Sequence, residues 1–358
     1  MKSFKIICLS LFVSLVGWAN PGDGIFDGKY TKEKKINKDY TVNAEATLNI
    51  SNKYGNVNIV SWNENRVVIE VTIKTNGNNE KKTQERLDKI KVEFKNASDY
   101  VSAKTVIENS DWNWGWSSSN VSIQIDYLVK MPVRNLLILK NDYGSISLDK
   151  LDNKVDINCD YGSMNIGELN ASDNKLNFDY TNGVTIDYVK SAYINADYSG
   201  YTIDKAGKLT INADYTKSVI RLADQVNFNA DYGSILIGKA NYIDGNGDYL
   251  SQEYEKVVGS LKLVSDYGSI KIRSVAAGFK DINIKSDYVS IKIGLEPQAA
   301  FNFSIKARYA SLKGIDGLNF NKKIQSGSDN YYEGTYGQNP SGKITIDSNY
   351  GNINLNTN

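Results

Sequence analysis

Nine aspartates, each followed by a tyrosine, stand at nearly equal intervals along this 358-residue chain: Asp142, Asp160, Asp179, Asp197, Asp214, Asp231, Asp248, Asp266 and Asp287. The tyrosines that follow them are separated by 18, 19, 18, 17, 17, 17, 18 and 21 residues. Three chemistries are open to such a column. Its carboxylates can cap a backbone corner by accepting N–H bonds from the Gly-Ser that follows in the clearest copies. They can bind a cation such as Ca²⁺, which takes carboxylate and carbonyl oxygens. As pairs they can act as acid and base on a glycan. Carboxylates about 5 Å apart repel by roughly 1 kcal/mol in water-like surroundings and ~3 kcal/mol at an effective dielectric of 20. A row of nine therefore needs compensation, and Lys53, Arg308 and Asn349 at the equivalent outer positions look like charge relief. Even spacing without converging basic residues favours capping over catalysis. The calcium-binding Gly-Gly-x-Gly-x-Asp repeat is absent, which weakens but leaves open a Ca²⁺ ladder.

Two aromatic features could recognise a ligand. The tyrosine column is in phase with neighbouring aliphatics, which predicts a stacked ladder shielding one corner, or else a row of half-exposed rings stacking on sugars. Trp112, Trp114 and Trp116 alternate within Asp-Trp-Asn-Trp-Gly-Trp-Ser-Ser-Ser. If extended, that stretch places all three on one side, where they either fold onto the protein or form a patch for a glycan, lipid headgroup or protein. They are the candidate ligand-binding residues. The chain has no histidine, which removes Ser-His and Cys-His catalysis and the commonest zinc ligand. No phosphate loop or dinucleotide fingerprint is present, and no cofactor other than Ca²⁺ is indicated.

The elements that carry these columns follow from the period. Aliphatics precede the aspartates by three (Leu139, Ile157, Leu176, Ile194, Ile211), and small residues precede them by one (Cys159, Ala196, Ala213, Ala230). Asn158, Asn177, Asn195, Asn212 and Asn229 lie between. This period-two pattern makes a half-buried strand with the aliphatic, small and Tyr columns on one face, and an amide ladder on the other. Aliphatics resume three and five positions after Tyr, as at Ile146/Leu148 and Ile270/Ile272, so a corner at the Gly-Ser leads into a second strand. A unit of about 18 residues stacked on itself in parallel predicts an all-β fold, a right-handed parallel β-helix. Twelve turns would make a rod on the order of 55 Å long.

Residues 20–135 break the period. Val67, Ile69, Val71 and Ile73 alternate, as do Ile90, Val92 and Phe94, around a polar stretch from Asn76 to Glu85. The expectation is an antiparallel β cap with a hairpin near Asn96 to Tyr100, covering an edge that would otherwise invite polymerisation. The β-helix then occupies 136–358, with an irregular Gly/Asn/Tyr-rich insert at 316–342 and a last coil over Lys343 to Leu355. Residues 1–19 read as a signal peptide: Lys2 and Lys5, an apolar run from Ile6 to Val16, then Gly17-Trp18-Ala19. The run is short for a membrane span, and no second apolar segment is expected to cross one. Cys159, left alone after cleavage, reads as a buried thiol without a disulfide partner. The expected location is the periplasm, the outer-membrane surface or the outside. With 42 basic and 41 acidic residues, the chain lacks the basic excess that a nucleic-acid binder needs.

The succession Lys53-Tyr-Gly-Asn-Val-Asn-Ile, Ser61-Trp-Asn, the strand Val67 to Ile73, Tyr127-Leu-Val-Lys-Met-Pro132 and Asn141-Asp-Tyr-Gly-Ser-Ile-Ser-Leu resembles the putative-adhesin family of bacterial β-helix domains of unknown function. The resemblance covers essentially the whole chain after the leader and implies a right-handed single-stranded β-helix. It brings no catalytic or ligand residues with it. The functional expectation is a non-enzymatic exported adhesin or envelope scaffold, with a glycan or envelope protein as partner. The rivals are a glycan-active enzyme on the same scaffold and a periplasmic sensing or regulatory partner.

Overall fold

A computed structural model describes residues 26–108, 121–314 and 316–357. The leader and the three tryptophans lie outside the described residues. The described residues are all-β apart from one helix, and their strands form one large, mostly parallel sheet. Equivalent columns pair with each other from copy to copy. Asp142 faces Asp160, Asp160 faces Asp179, Asp179 faces Asp197 and Asp197 faces Asp214 in unbroken parallel register. Such register stacks like on like, so every aliphatic column becomes a continuous apolar seam. Leu139, Ile157, Leu176, Ile194 and Ile211 are all buried, as are Ile146, Met164, Ile166, Ile235 and Ile237. Cys159, Ala196, Ala213 and Ala230 are buried beside them.

The first copy lies far from the others in sequence. Thr47–Lys53 pairs in parallel with Leu136–Asp142, and Val57–Trp62 pairs with Ser145–Leu151, so residues 47–62 belong to the same parallel array. Between them the chain makes antiparallel strands. Arg66–Gly77 runs antiparallel to both Tyr30–Thr41 and Val121–Pro132. Ile90–Ala97 and Tyr100–Ile107 form a hairpin that closes at Ala97 and Tyr100, where the sequence placed it. The polar stretch is in part a helix, Glu80–Asp88, capped by the Asn79 side chain accepting from the Lys82 N–H. An Asx cap ahead of Glu80 is a helix-start signal, so this part of the expected β cap is helical instead.

The C-terminal copies are not stacked in chain order. Gly342–Asn349 pairs in parallel with Asp281–Leu295 on one side and with Phe301–Arg308 on the other. The last copy in sequence therefore slots between two earlier ones instead of closing the end. The 316–342 segment holds an antiparallel hairpin, Leu318–Ser326 with Asp329–Tyr336, whose second strand pairs antiparallel with Phe301–Arg308. A buried amide network fastens the first copy to its neighbours. Asn52 Nδ2 donates to Ile125 O at 2.9 Å and to Asn141 Oδ1 at 3.1 Å, and Asn141 Nδ2 donates to Gly55 O at 3.1 Å.

Candidate functional site

The tyrosine column differs from the period-two expectation, and the difference is conformational. Twelve tyrosines, at 54, 143, 161, 180, 198, 215, 232, 249, 267, 288, 309 and 350, have φ between 49° and 62°. This left-handed region is uncommon for residues with a Cβ and costs roughly 1–2 kcal/mol each. The turn reverses the alternation, so a side chain due to point inward points outward. The rings are 41–63% exposed. The glycine that follows does not supply the positive φ. It supplies room: a Cβ on Gly144 would lie 1.9 Å from the Gly55 carbonyl oxygen of the neighbouring copy.

The turn keeps the backbone ladder intact. The N–H of Tyr143 donates to Asp160 O at 2.9 Å, Tyr198 to Asp214 O at 3.0 Å, and Tyr232 to Asp248 O at 3.0 Å. Adjacent rings stack at centroid distances of 4.8–5.0 Å with interplanar angles of 2–7° from Tyr143 to Tyr288. Tyr54 extends the stack at one end, while Tyr350 and then Tyr309 extend it at the other. Aromatic pairs contribute about 0.5–1.5 kcal/mol beyond burial, which offsets only part of the strain of the turn. Within the stack each ring face is covered by the next ring. What reaches solvent is the ring edge and the phenol hydroxyl, so stacking of sugars on ring faces is confined to the ends.

The aspartate column runs beside this ladder, and its hydrogen bonds also go between copies. Asp179 Oδ1 accepts from the N–H of Asp197 at 3.3 Å, Asp197 from Asp214 at 3.1 Å, Asp214 from Asp231 at 3.2 Å, and Asp231 from Asp248 at 2.8 Å. Asp248 accepts from Asp266 at 3.2 Å. The caps thus satisfy the next copy's Asp N–H rather than the Gly-Ser of their own corner. Desolvation, together with the charges of Asp197 and Asp160, pushes the Asp179 carboxyl up, against the backbone hydrogen bond from Asp197. Desolvation, then the Asp248 and Asp287 charges, do the same to Asp266. At the outer end Lys53 and Lys140 lie 3.6 and 3.8 Å from Asp142, the charge relief expected there. Asp160 and Asp287 occupy the same column. Among the described residues no three His, Cys, Asp or Glu side chains converge. A Ca²⁺ ion on this straight row would have to complete its six to eight oxygens largely with water.

Outside the aspartates runs the amide ladder. Asn212 donates to Asn195 at 2.9 Å, Asn229 to Asn212 at 3.4 Å, and Asn246 to Asn229 at 2.8 Å. One face therefore carries parallel rows of amides, carboxylates and phenols. Cys159 is buried, and desolvation pushes its thiol up to about 12, partly countered by the hydrogen bond with Thr181. The conformation of the tyrosines was the feature the sequence reading missed. A corner residue held at Tyr where Gly or Asn would be easier is the signal that could have found it.

No family model matches the chain, and no curated protein matches it. Similar solved structures are bacterial. A putative cell adhesion protein from Clostridium sporogenes is 13% identical, with 91% of this chain and 100% of that one covered, at a TM-score of 0.22. A putative adhesin from Bacteroides fragilis is 14% identical over 90% and 97%, at 0.29. A putative lipid binding protein from Parabacteroides distasonis is 11% identical over 90% and 96%, also at 0.29. At such identities and scores the likeness carries no argument about what this chain binds.

Proposed function

We propose that this chain is an exported, non-enzymatic right-handed parallel β-helix that presents its amide–carboxylate–phenol face for binding at the bacterial envelope, as an adhesin or surface scaffold. One observation carries the reading: twelve tyrosines occupy a left-handed turn that glycine or asparagine would occupy more easily, and their edges remain exposed. Strain retained at every copy around an exposed aromatic points to use of that surface. Like-on-like parallel register supports the coil, and the leader-like residues 1–19 support export. Among the described residues no helix is long and apolar enough to cross a membrane.

A non-enzymatic role draws support from the lack of histidine and from the carboxylates of Asp179 through Asp248, each committed to a neighbouring N–H. The test is co-sedimentation of purified residues 20–358 with bacterial envelope fragments, alongside a reducing-end assay on the glycans of those fragments. Saturable co-sedimentation without new reducing ends is expected. No association, or release of reducing ends, would overturn the reading.

A further inference from the structure

A second feature lies away from the tyrosine ladder, at a bend of the strand Val184–Asp197. Val189 and Ala192 are buried while the two residues between them, Lys190 and Ser191, are not, so alternation breaks and the backbone turns. Tyr188 and Tyr193 flank this bend and line a groove of about 740 Å³, together with Lys175, Lys190 and Lys208. That volume is in the range of ligand sites. Gly207 stacks on the bend so closely that a Cβ would lie 2.3 Å from Lys190 O, which leaves the groove floor as bare backbone. One wall is fixed by Asn174, fully buried, whose Nδ2 donates to Ala171 O at 2.7 Å and Ser191 O at 2.9 Å.

The composition of this bend is unique to one copy. In register with Tyr188 stand Lys150, Glu168, Lys205, Leu222 and Lys239. In register with Tyr193 stand Asp156, Lys175, Thr210, Asn227 and Asp244. Among these copies this one alone has an aromatic residue on both sides of the turn. Unlike the ladder rings, Tyr193 belongs to no ring stack among the described residues, and it is 44% exposed. Tyr188 already receives a cation, with Lys205 Nζ 5.8 Å from its centroid.

The charge of the groove is basic. Of its two carboxylates, Asp173 pairs with Lys154 at 3.4 Å and Asp224 accepts from Asn241 at 3.3 Å. Among the described residues no carboxylate lies within ion-pair distance of Lys175, Lys190 or Lys208. An open groove with an unstacked aromatic ring and three ammonium groups held in no ion pair among the described residues fits a polymer of sugar rings that bears carboxylates. The chain's overall charge of +1 argues against a nucleic acid as that polymer.

We propose that this groove binds an acidic polysaccharide, one sugar ring lying on Tyr193 and its carboxylates meeting Lys175, Lys190 and Lys208. This rests on the reading of the chain as an envelope-binding protein and adds to the ladder face a second site with its own ligand class. The test is the affinity of purified residues 20–358 for polygalacturonate, with neutral dextran as the comparison. Saturable binding to polygalacturonate and none to dextran is expected. Tyr193→Ala and the pair Lys190→Gln/Lys208→Gln should each weaken it at least about tenfold without moving the melting temperature, while Lys81→Gln on the exposed face of the helix Glu80–Asp88 should not. Absence of polygalacturonate binding, or binding that both groove variants leave unchanged, would overturn the proposal. If co-sedimentation with envelope fragments persists in that case, only the groove assignment fails; if both are lost, the functional reading fails with it.

Discussion

The backbone N–H of Asp214 donates to the carboxylate of Asp197 at 3.1 Å, while the N–H of Tyr198 donates to the carbonyl of Asp214 at 3.0 Å. Asp197 is thus both an acceptor for one neighbour and part of a like-charge row. Asp197→Ala removes the acceptor and is expected to cost about 1 kcal/mol. Asp197→Asn keeps an oxygen acceptor and deletes a charge, so it should cost clearly less. Chemical denaturation of the two variants beside the wild type decides this.

The row also sets a pH dependence. The folded-state values of Asp179 and Asp266 are raised above the ordinary 3.8, desolvation acting first and neighbouring aspartates adding to it. A raised folded value means that the stabilisation is complete below the unfolded value and is lost as pH rises through the folded one. The variant Asp179→Asn/Asp266→Asn should therefore melt at or above the wild-type temperature near neutral pH, with the advantage vanishing below about 3.8. Glu296 runs the other way. Lys256, then Ser274, hold its carboxyl below the ordinary range, so its contribution is present above the unfolded value and is lost as pH falls through the folded one. Melting curves across pH for wild type and variant test the sign.

Gly144 tests the claim that glycine in the motif provides closeness rather than a special φ. With a Cβ 1.9 Å from Gly55 O, Gly144→Ala must push two copies apart and is expected to cost about 3 kcal/mol or more, at the high end for overpacking. A φ-only role would predict little loss, because Gly144 is not among the positive-φ glycines. The denaturation midpoint of this single variant separates the two accounts.

Asn52 and Asn141 form the buried amide pair beneath the first copy. Asn52→Ala strands the Ile125 carbonyl and one side of Asn141, and is expected to cost about 2–3 kcal/mol, since unsatisfied buried groups lose their full solvation. Hydrogen exchange should rise first at Ile125 and Gly55. Uniform exchange across the chain would mean that the pair does not fasten this region locally.

Cys159 offers a chemical check on the buried seam. Its thiol, pushed up to about 12 by burial, should stay unlabelled by a disulfide reagent at neutral pH and react fully once denaturant unfolds the chain. Rapid labelling of the native protein would mean that the apolar seam beside the aspartates opens.

Much of this architecture was legible in the sequence because parallel stacking places like on like. The spacing of the Asp-Tyr pairs gave the register, and the apolar columns around Leu139 and Ile146 gave the buried seams. The outward turn of Tyr143 and its equivalents was not legible, because period-two counting assumes extended backbone and a single left-handed residue reverses it. Insertion of Tyr350 between Tyr288 and Tyr309 was equally hidden, since copies with the same pattern pair equally well in either order. The groove at Tyr188 and Tyr193 stayed out of view because the two tyrosines line it from opposite sides of a bend that breaks the alternation.

The central claim is that the tyrosines are kept for the surface they present and not for the fold. The direct measurement is envelope co-sedimentation of the variant Tyr198→Asn/Tyr215→Asn/Tyr232→Asn/Tyr249→Asn, paired with its melting curve. Asparagine tolerates the left-handed turn, so relief of strain should balance the lost stacking and leave a folded chain of near wild-type stability. The account predicts that this folded variant loses most of its association with the envelope. Undiminished association would contradict it, as would a variant that cannot fold, because the ladder would then be serving the coil alone.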